Sequence, residues 1–276
     1  MVGQIVGISL VRNEDIFLTQ AITNVADFCD KIIILDNLST DNTWQEIQSL
    51  RSKFSHIEAH QINDYRDSHS YISSYAGSDT WVLGIDGDEV YDPGGLKRFR
   101  KQLLSGCFDN HWTLFGNVVN CVELDVKRQK AKGYLSPPSR SMTKLFNFSA
   151  LESWNGPCER LHGGQKCFRS GFDETQRFSL HEQYSWNESA FRCLHVCFIQ
   201  RSSKEARGEM SRLQPGEKPE WLKRLDRVGI GWLFSGVIGN VRSPWKDSKY
   251  RRGEVRSFDV KMFFPEGRST SCSFLE

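Results

Sequence analysis

The chain has 276 residues, 38% of them hydrophobic and 25% charged, which is the composition of a globular protein with room for one large domain. Its 36 Lys and Arg residues nearly balance 34 Asp and Glu residues, and the net charge of +2 excludes a nucleic-acid binder that relies on a broad positive field. No apolar run approaches the ~20 residues needed to cross a bilayer, and the N-terminal residues lack a signal-peptide pattern.

Strands and helices are predicted to alternate through the first ninety residues. The predicted strands are 4–11, 31–36, 57–62 and 80–86, and the helices between them are 15–29, 39–54 and 68–77. Continuous apolar runs such as KIIILD are typical of strands that are buried on both faces. The order therefore predicts an α/β fold with a mostly parallel, twisted sheet flanked by helices.

The pattern is less regular beyond residue 95. We predict a helix in LKRFRKQLL, one or two strands in HWTLFGNVVNCVELDV, a buried strand in FRCLHVCFIQ and a helix in SKEARGEMSRLQ. The basic segment KRQKAKGYLSPPSRS predicts a loop that is long enough to contact an acceptor. The apolar part of EWLKRLDRVGIGWLFSGVIGNV is expected to pack on the core, with a dimer surface or a membrane face as alternatives.

Polar side chains follow all four predicted strands of the first half. They are Arg12, Asn13, Glu14 and Asp15, then Asp36 and Asn37, then Asp64, Arg66 and Asp67, and finally Asp86, Asp88 and Glu89. Ligands of parallel α/β sheets bind beyond the carboxyl ends of the strands. Because four strands deliver carboxylates, arginines and amides to one edge, we expect a ligand site there.

Three carboxylates follow the fourth strand within four residues, in WVLGIDGDEVYDP. Such crowding favours a bound cation, since like charges repel and hard cations prefer oxygen ligands. An acidic turn is the structural alternative, because Gly87 and Pro93 are turn formers. A dehalogenase-type phosphatase with Asp86 as nucleophile is the chemical alternative.

The eight cysteines do not form a compact disulfide framework, which favours a reducing compartment. Cys193, His195 and Cys197 have a spacing that suggests zinc. A zinc site would need a second close pair of ligands, and Cys158 and Cys167 are too far apart in sequence to provide one.

Four segments resemble glycosyltransferases of the GT-A fold, similar to family 2. They are SLVRNEDIFLTQAITNVADFCDKIIILDNLSTDNT, DTWVLGIDGDEV, KLFNFSALESWNGPCERL and CLHVCFIQRSSKEAR. The first two are fairly specific in combination and in this order. Together the segments cover roughly residues 4 to 207. Cys158 departs from the resemblance, because relatives often have His at this position.

The resemblance implies a transferase that uses a nucleotide-diphosphate sugar and Mn²⁺ or Mg²⁺. It implies that Asp88 binds the metal, that Asp86 lies near the ribose or shares the ion, and that His195 is the third metal contact. It also implies donor contacts from Asp36, from Arg66 at the diphosphate, and from Arg12, Asn13 and Glu14 around the base.

Transfer with inversion needs a general base for the acceptor hydroxyl. The resemblance assigns this role to Glu159, which matches the glutamate of the family's His-Glu pair. Glu182 is the alternative, because it follows His181 in SLHEQYSW. The acceptor is expected to be a glycan, a lipid-linked group or a protein, on a pathway of glycan or polysaccharide biosynthesis.

We divide the chain into a GT-A-like catalytic domain, residues 1–215, and a C-terminal extension, residues 216–276. Within the catalytic domain, 1–95 form the nucleotide-binding half, and 96–215 complete the acceptor and metal sites. The expected location is cytoplasmic, with peripheral association at the inner face of a membrane as a further option. A nucleotide-sugar-binding protein without turnover is the alternative from another functional class.

Overall fold

A seven-stranded sheet is the centre of the protein in the computed structural model, which describes residues 3–141, 144–159, 164–206 and 248–265. Its first half contains strands β1 (Gln4–Val11), β2 (Lys31–Asp36), β3 (Ile57–Gln61) and β4 (Thr80–Gly84), with helices α1 (Leu18–Val25), α2 (Thr43–Lys53) and α3 (Ser70–Ser73) between them. These four strands are parallel, in the order β4-β1-β2-β3. The predicted α/β fold is confirmed. The third predicted helix is shorter than expected, since a 3₁₀ turn at Tyr65–His69 precedes α3.

The second half of the described chain adds short strands and helices. They are β5 (Glu89–Tyr91), α4 (Pro93–Leu104), β6 (Thr113–Phe115), β7 (Asn117–Asp125), β8 (Lys130–Leu135), β9 (Lys144–Asn147), β10 (Leu151–Asn155), β11 (Gln165–Phe168), β12 (Arg177–Ser179), α5 (Leu180–Gln183), β13 (Arg192–His195), α6 (Ser203–Ala206) and β14 (Val255–Asp259). Strands β9, β6 and β12 extend the main sheet beyond β4, and β9 is antiparallel to both β4 and β6. Strands β10 and β11 form a separate antiparallel pair.

A second sheet of five strands has the order β14-β8-β7-β13-β5. Strand β8 corrects the prediction of a basic loop, because Lys130–Leu135 pairs with both β7 and β14. Ala131 and Gly133 are buried while Lys130 and Lys132 are exposed. The lysines therefore occupy the solvent face of a half-buried strand. Because the residues between them are small, the segment resembles a polar loop in the sequence.

Both faces of the parallel strands are buried, which explains the continuous apolar runs. On β2, Ile32 and Ile34 belong to the core on one face of the sheet, with α1 and α4. Ile33 and Leu35 belong to the core on the opposite face, with α3 and β10. Alternate residues of one strand thus point into two different cores.

The C-terminal part of the chain is described only in short pieces. The predicted helix of SKEARGEMSRLQ is described as far as Ala206, and the apolar segment 220–241 lies outside the described residues. Val260 and Phe263 are fully buried in the core beside the five-stranded sheet. Among the helices described, none has the length and apolar character required to cross a bilayer.

Candidate functional site

The turn after β4 brings Asp86 and Asp88 to the carboxyl edge of the parallel strands, as predicted. Directly after this turn, β5 pairs antiparallel with β13, and Glu89 lies opposite His195. The backbone N–H of Val196 donates a hydrogen bond to the carbonyl oxygen of Asp88, with a distance of 2.9 Å. These contacts explain how a histidine from a remote strand reaches the acidic turn.

Of the two aspartates of this turn that were predicted to bind the metal, Asp88 is the more enclosed, with 4% of its surface exposed. Its Oδ2 atom lies 3.8 Å from Nε2 of His195 and 2.9 Å from Nη1 of Arg201. Asp86 is half-buried at the start of the turn. The structure therefore brings together Asp88 and His195, and it adds a guanidinium group that the sequence did not assign.

The ring of His195 is held in one orientation by hydrogen bonding. Its Nδ1 atom lies 2.7 Å from Oδ1 of Asn120, while Nδ2 of Asn120 donates to Oγ of Ser139 and to the carbonyl oxygen of Arg140, at 2.9 and 3.4 Å. Because a carbonyl oxygen only accepts, it fixes the amide of Asn120 with its oxygen towards the imidazole. Nδ1 of His195 therefore carries the hydrogen, and in the neutral ring Nε2 has a lone pair directed towards Asp88.

Glu14 contacts the same nitrogen of the Arg201 guanidinium group as Asp88. Its Oε1 atom is 2.9 Å from Nη1 of Arg201, so that one nitrogen bridges Glu14 and Asp88. A Cβ atom at Gly87 would lie 2.2 Å from Oε2 of Glu14. The glycine between the two aspartates therefore leaves room for the carboxylate of Glu14 as well as forming the turn.

The segment that follows β13 docks onto the loops after β1 and β2. The N–H and hydroxyl groups of Ser203 both donate to the carboxylate of Asp15, and the hydroxyl of Ser202 donates to Asp41 at 2.6 Å. The N–H of Ile16 donates to the carbonyl oxygen of Arg201 at 3.0 Å. The backbone beside the acidic turn is thereby fixed by contacts to two separate loops.

Asn13 connects the loops after β1 and β2. It adopts a left-handed backbone conformation with φ of 55°, which Asn tolerates better than most residues. Its N–H donates to Oγ of Ser39, and its Oδ1 accepts from the N–H of Thr40, at 2.9 and 2.8 Å. Asn13 is thus placed at the predicted edge, and its visible function there is to hold the loop.

The remaining donor-site candidates occupy different environments. Asp36 is fully buried, and its two oxygens accept from the N–H of Ser39 and from Nε2 of Gln61. Arg12 is exposed, and Arg66 is an exposed residue that forms an ion pair with Asp64 over 3.0 Å. The structure therefore shows Asp36 bracing its loop, while a contact of any of these residues with a donor stays a prediction.

The two candidate bases lie far apart in the fold. Glu159 is half-buried beyond β10, and both its N–H and its Oε2 contact the hydroxyl oxygen of buried Ser68, at 2.8 and 2.9 Å. Ser68 belongs to the 3₁₀ turn that follows β3, so Glu159 is tied to the carboxyl edge of the parallel strands. Glu182 is exposed on α5, next to β12 at the far margin of the main sheet.

The side-chain atoms at the acidic turn meet some of the requirements of a divalent cation site. Among residues 3–141, 144–159, 164–206 and 248–265, no group of three or more His, Cys, Asp or Glu side chains is arranged to hold a metal ion. Asp86, Asp88 and His195 are therefore not a ready-made three-ligand site. The 3.8 Å between Oδ2 of Asp88 and Nε2 of His195 can be spanned by two metal–ligand bonds of ~2.1 Å. Two protein ligands would leave the other positions of the ion to phosphate oxygens and water, as is common where carboxylates hold Mg²⁺ beside a substrate phosphate.

The zinc alternative has little support at Cys193, the first cysteine of the Cys193, His195 and Cys197 set. Cys193 is fully buried, and burial, together with the nearby charge of Glu89, raises its pKa well above the usual value. Zinc binds the thiolate form of cysteine. Its buried thiol therefore serves packing in the core beside Tyr91 and Phe191.

Sequence reasoning missed two residues of the site, Arg201 and Asn120. Arg201 follows the histidine-bearing strand in a segment rich in basic residues, which was a usable signal, although many surface loops have the same composition. Asn120 lies within the apolar strand β7 and is completely buried, with an exposed fraction of 0%. A buried amide in a strand indicates a required hydrogen-bond partner, but it does not identify that partner.

Comparison with known proteins assigns the chain to a sequence family. The model of Glycosyl transferase family 2 matches residues 8–175. An uncharacterised glycosyltransferase of Rickettsia typhi is 32% identical over 80 residues, which represent 29% of this chain and 26% of that protein. The chain thus matches about a quarter of the length of that relative.

Two solved structures are similar at low identity. Glucosyl-3-phosphoglycerate synthase of Mycobacterium tuberculosis, in complex with Mn²⁺, UDP-glucose and phosphoglyceric acid, is 21% identical with a TM-score of 0.30, over 41% of this chain and 43% of that one. A mannosyltransferase of Pyrobaculum calidifontis, in complex with GDP-Man and Mn²⁺, is 11% identical with a TM-score of 0.40, over 88% of this chain and 66% of that one.

Proposed function

Since the chain belongs to glycosyl transferase family 2, we propose that it moves a sugar from a nucleotide-diphosphate donor to a hydroxyl group of an acceptor. The observation that carries this proposal is the convergence of Asp88, His195 and Arg201 at the carboxyl edge of the parallel strands. Ligands of such sheets bind at this edge. A phosphatase that uses Asp86 and a zinc protein both lack comparable support.

Asp88 and His195 are proposed to hold a divalent cation, Mn²⁺ or Mg²⁺, with Asp86 next to the ribose or sharing the ion. The ion would supply Lewis-acid stabilisation of the negative charge on the departing diphosphate. Asp88 provides a carboxylate oxygen and His195 provides Nε2, which its hydrogen bond to Asn120 leaves without a proton in the neutral ring. The enclosed position of both side chains limits competition from water.

The nucleotide end of the donor is proposed to contact the loops after β1, β2 and β3. Arg12, Asn13 and Glu14 would frame the base, and Arg66 would face the diphosphate. Asp36 would contribute mainly through the loop that it braces, since its oxygens already accept from Ser39 and Gln61.

The acceptor hydroxyl is proposed to lose its proton to Glu159, so that transfer inverts the anomeric configuration. Support comes from the contact between Glu159 and Ser68, which ties this carboxylate to the same edge of the sheet as the acidic turn. Glu182 is the second candidate. The proposed acceptor is a glycan, a lipid-linked group or a protein. The proposed context is glycan or polysaccharide synthesis in the cytoplasm, at a membrane face.

Calorimetry and thermal shift with UDP-, GDP-, TDP- and CMP-sugars, each with and without Mn²⁺, test the proposal. We expect one donor class to bind and to be turned over, with tighter binding when Mn²⁺ is present. Asp88→Asn should reduce the effect of Mn²⁺ on donor binding. A wild-type chain that binds no nucleotide sugar would refute the proposal, and binding without transfer to any acceptor or water would favour the nucleotide-sugar-binding alternative.

A further inference from the structure

The guanidinium group of Arg201 lies where a cation at the acidic turn would be expected. Its Nη1 atom is 2.9 Å from Oδ2 of Asp88 and 2.9 Å from Oε1 of Glu14. The side chains of Asp88 and Glu14 are only 6% and 12% exposed. A positive charge is thus already present between two enclosed carboxylates.

The position of Arg201 is built into the fold. Its carbonyl oxygen accepts from the N–H of Ile16, and its own N–H donates to Oε2 of Glu205 at 3.1 Å. The next residues are fixed by the contacts of Ser202 with Asp41 and of Ser203 with Asp15. A backbone held on both sides directs this side chain towards the turn.

Charge compensation explains why an arginine is placed there. Burial disfavours the charged guanidinium, yet Glu14 and Asp88 outweigh it and raise the pKa of Arg201 further above its usual value. Removing one member of an enclosed ion pair is generally unfavourable, because the remaining charge loses part of its compensation. The contact with Arg201 therefore favours the ionised form of Asp88.

The rest of the guanidinium group is suited to an anion. Within the described parts of the chain, all its hydrogen bonds come from Nη1, and the side chain is 25% exposed. Arginine presents five N–H donors in a planar arrangement that matches phosphate oxygens. Nε and Nη2 can therefore contact a diphosphate at the mouth of the site.

We propose that Arg201 is the resident cation of the donor site. It neutralises Asp88 before donor binding, competes with a divalent ion for Oδ2 of Asp88, and turns to the diphosphate of the donor when the ion takes its place. This inference rests on the proposed function, because it assigns a role to Arg201 at the same donor site.

Binding of Mn²⁺ alone, measured by calorimetry and by the EPR signal of the free ion, tests the competition. Arg201→Gln should bind Mn²⁺ on the order of tenfold more tightly than the wild type in the absence of nucleotide, because the ion no longer has to displace a charged hydrogen bond at Asp88, and it should bind a nucleoside diphosphate more weakly. Arg98→Gln, an exposed change on α4, should alter neither affinity. An Arg201→Gln variant that is folded but binds Mn²⁺ equally or less well would overturn the proposal.

A second measurement uses the wild-type protein and does not depend on the folding of a variant. The NMR signal of the Arg201 side-chain Nε–H, assigned by its loss in Arg201→Lys, should shift when Mg²⁺ and a nucleoside diphosphate are added together. An unchanged signal at saturating ligand would refute the exchange of partners. If the wild type binds no nucleotide at all, the proposed function itself fails. If it transfers sugar while both tests on Arg201 fail, only this inference is wrong.

Discussion

Nδ1 of His195 lies 2.7 Å from Oδ1 of Asn120, a residue 75 positions earlier in the chain. The amide of Asn120 is itself oriented by Ser139, whose hydroxyl lies 3.3 Å from the carbonyl oxygen of Tyr134. A series of hydrogen bonds therefore links the carbonyl oxygen of Tyr134, through Ser139 and Asn120, to the imidazole of His195 and determines its tautomer. Orientation of a ligand histidine through its second nitrogen is a general feature of metal sites.

Asn120→Leu should remove this control of the His195 tautomer. We expect Mn²⁺ affinity, measured in the presence of the nucleotide, to fall by about 10- to 100-fold. In ¹⁵N NMR of the metal-free protein, Nε2 should be the nitrogen without a proton in the wild type and should lose that preference in the variant. Asn120→Asp keeps an acceptor and should preserve the tautomer. Asn187→Ala, an exposed change, serves as the control. Wild-type protein with the proton on Nε2 would contradict the assignment.

Glu159→Gln should strongly slow transfer while donor affinity stays nearly unchanged, because only the proton acceptor is lost. A general base contributes roughly 10²- to 10⁴-fold, so kcat should fall by that factor. Glu182→Gln is the matched change at the alternative candidate, and its exposed position on α5 predicts a small effect. Steady-state kinetics of both variants distinguish the two residues. A large loss of kcat in Glu182→Gln with an active Glu159→Gln would reverse the assignment.

The sequence was sufficient to predict the parallel half of the fold and the position of the acidic turn. The four central residues of KIIILD are all apolar, as expected of a strand buried on both faces, and Asp86 and Asp88 follow a similar run. Strand β8 was not predicted, because Lys130 and Lys132 alternate with small residues and give only a weak strand pattern. Pairing with distant β14 is what makes this segment a strand, and no local pattern contains that information.

The partners of the acidic turn could not be predicted in the same way. His195 was suggested by resemblance, but its contact with Asp88 depends on the pairing of β5 with β13. Arg201 and Asn120 reach the site through tertiary contacts with separate segments. The ion pair of Arg201 with Asp88 and the hydrogen bond of Asn120 with His195 form only in the folded chain.

A buried ion pair fixes the strand that carries His195. Nη2 of Arg192, on β13, lies 2.9 Å from Oδ2 of Asp92, and their side chains are 5% and 4% exposed. Asp92→Asn should lower the free energy of unfolding by about 3–5 kcal/mol, because it removes the carboxylate charge that faces the enclosed guanidinium of Arg192, while the amide oxygen of Asn can still cap α4. Urea titration measures this change. The exposed pair of Lys130 and Asp259 is the comparison, and Asp259→Asn should cost much less than Asp92→Asn, because solvent screens an exposed ion pair. Equal costs at the two sites would contradict the argument.

The contact between Asp30 and Arg100 predicts a pH dependence of stability. Burial alone would raise the pKa of Asp30, but hydrogen bonds from Arg100 and from the N–H of Ile5 lower it below its usual value of 3.8. A lowered carboxyl pKa in the folded state contributes stability that is present above the unfolded pKa and is lost as pH falls through the folded pKa. Asp30→Asn should therefore be less stable than the wild type at pH 7, with the difference shrinking below about pH 4. Urea unfolding at several pH values checks this, and a difference that is constant with pH would contradict it.

Gly87→Ala should disturb the site through Glu14. The new Cβ atom would lie 2.2 Å from Oε2 of Glu14, whose other oxygen is held by Arg201, so the carboxylate must move and its ion pair must loosen. We expect a loss of about 1–3 kcal/mol in the free energy of unfolding. In a Glu14→Ala background the obstacle is absent, and the same change should cost less, with a coupling free energy of roughly 0.5–3 kcal/mol in the double-mutant cycle. Gly94→Ala is the control, because its Cβ would lie at an ordinary 3.5 Å from Asp92. If Gly87→Ala costs the same in both backgrounds, Glu14 is not the reason for the glycine.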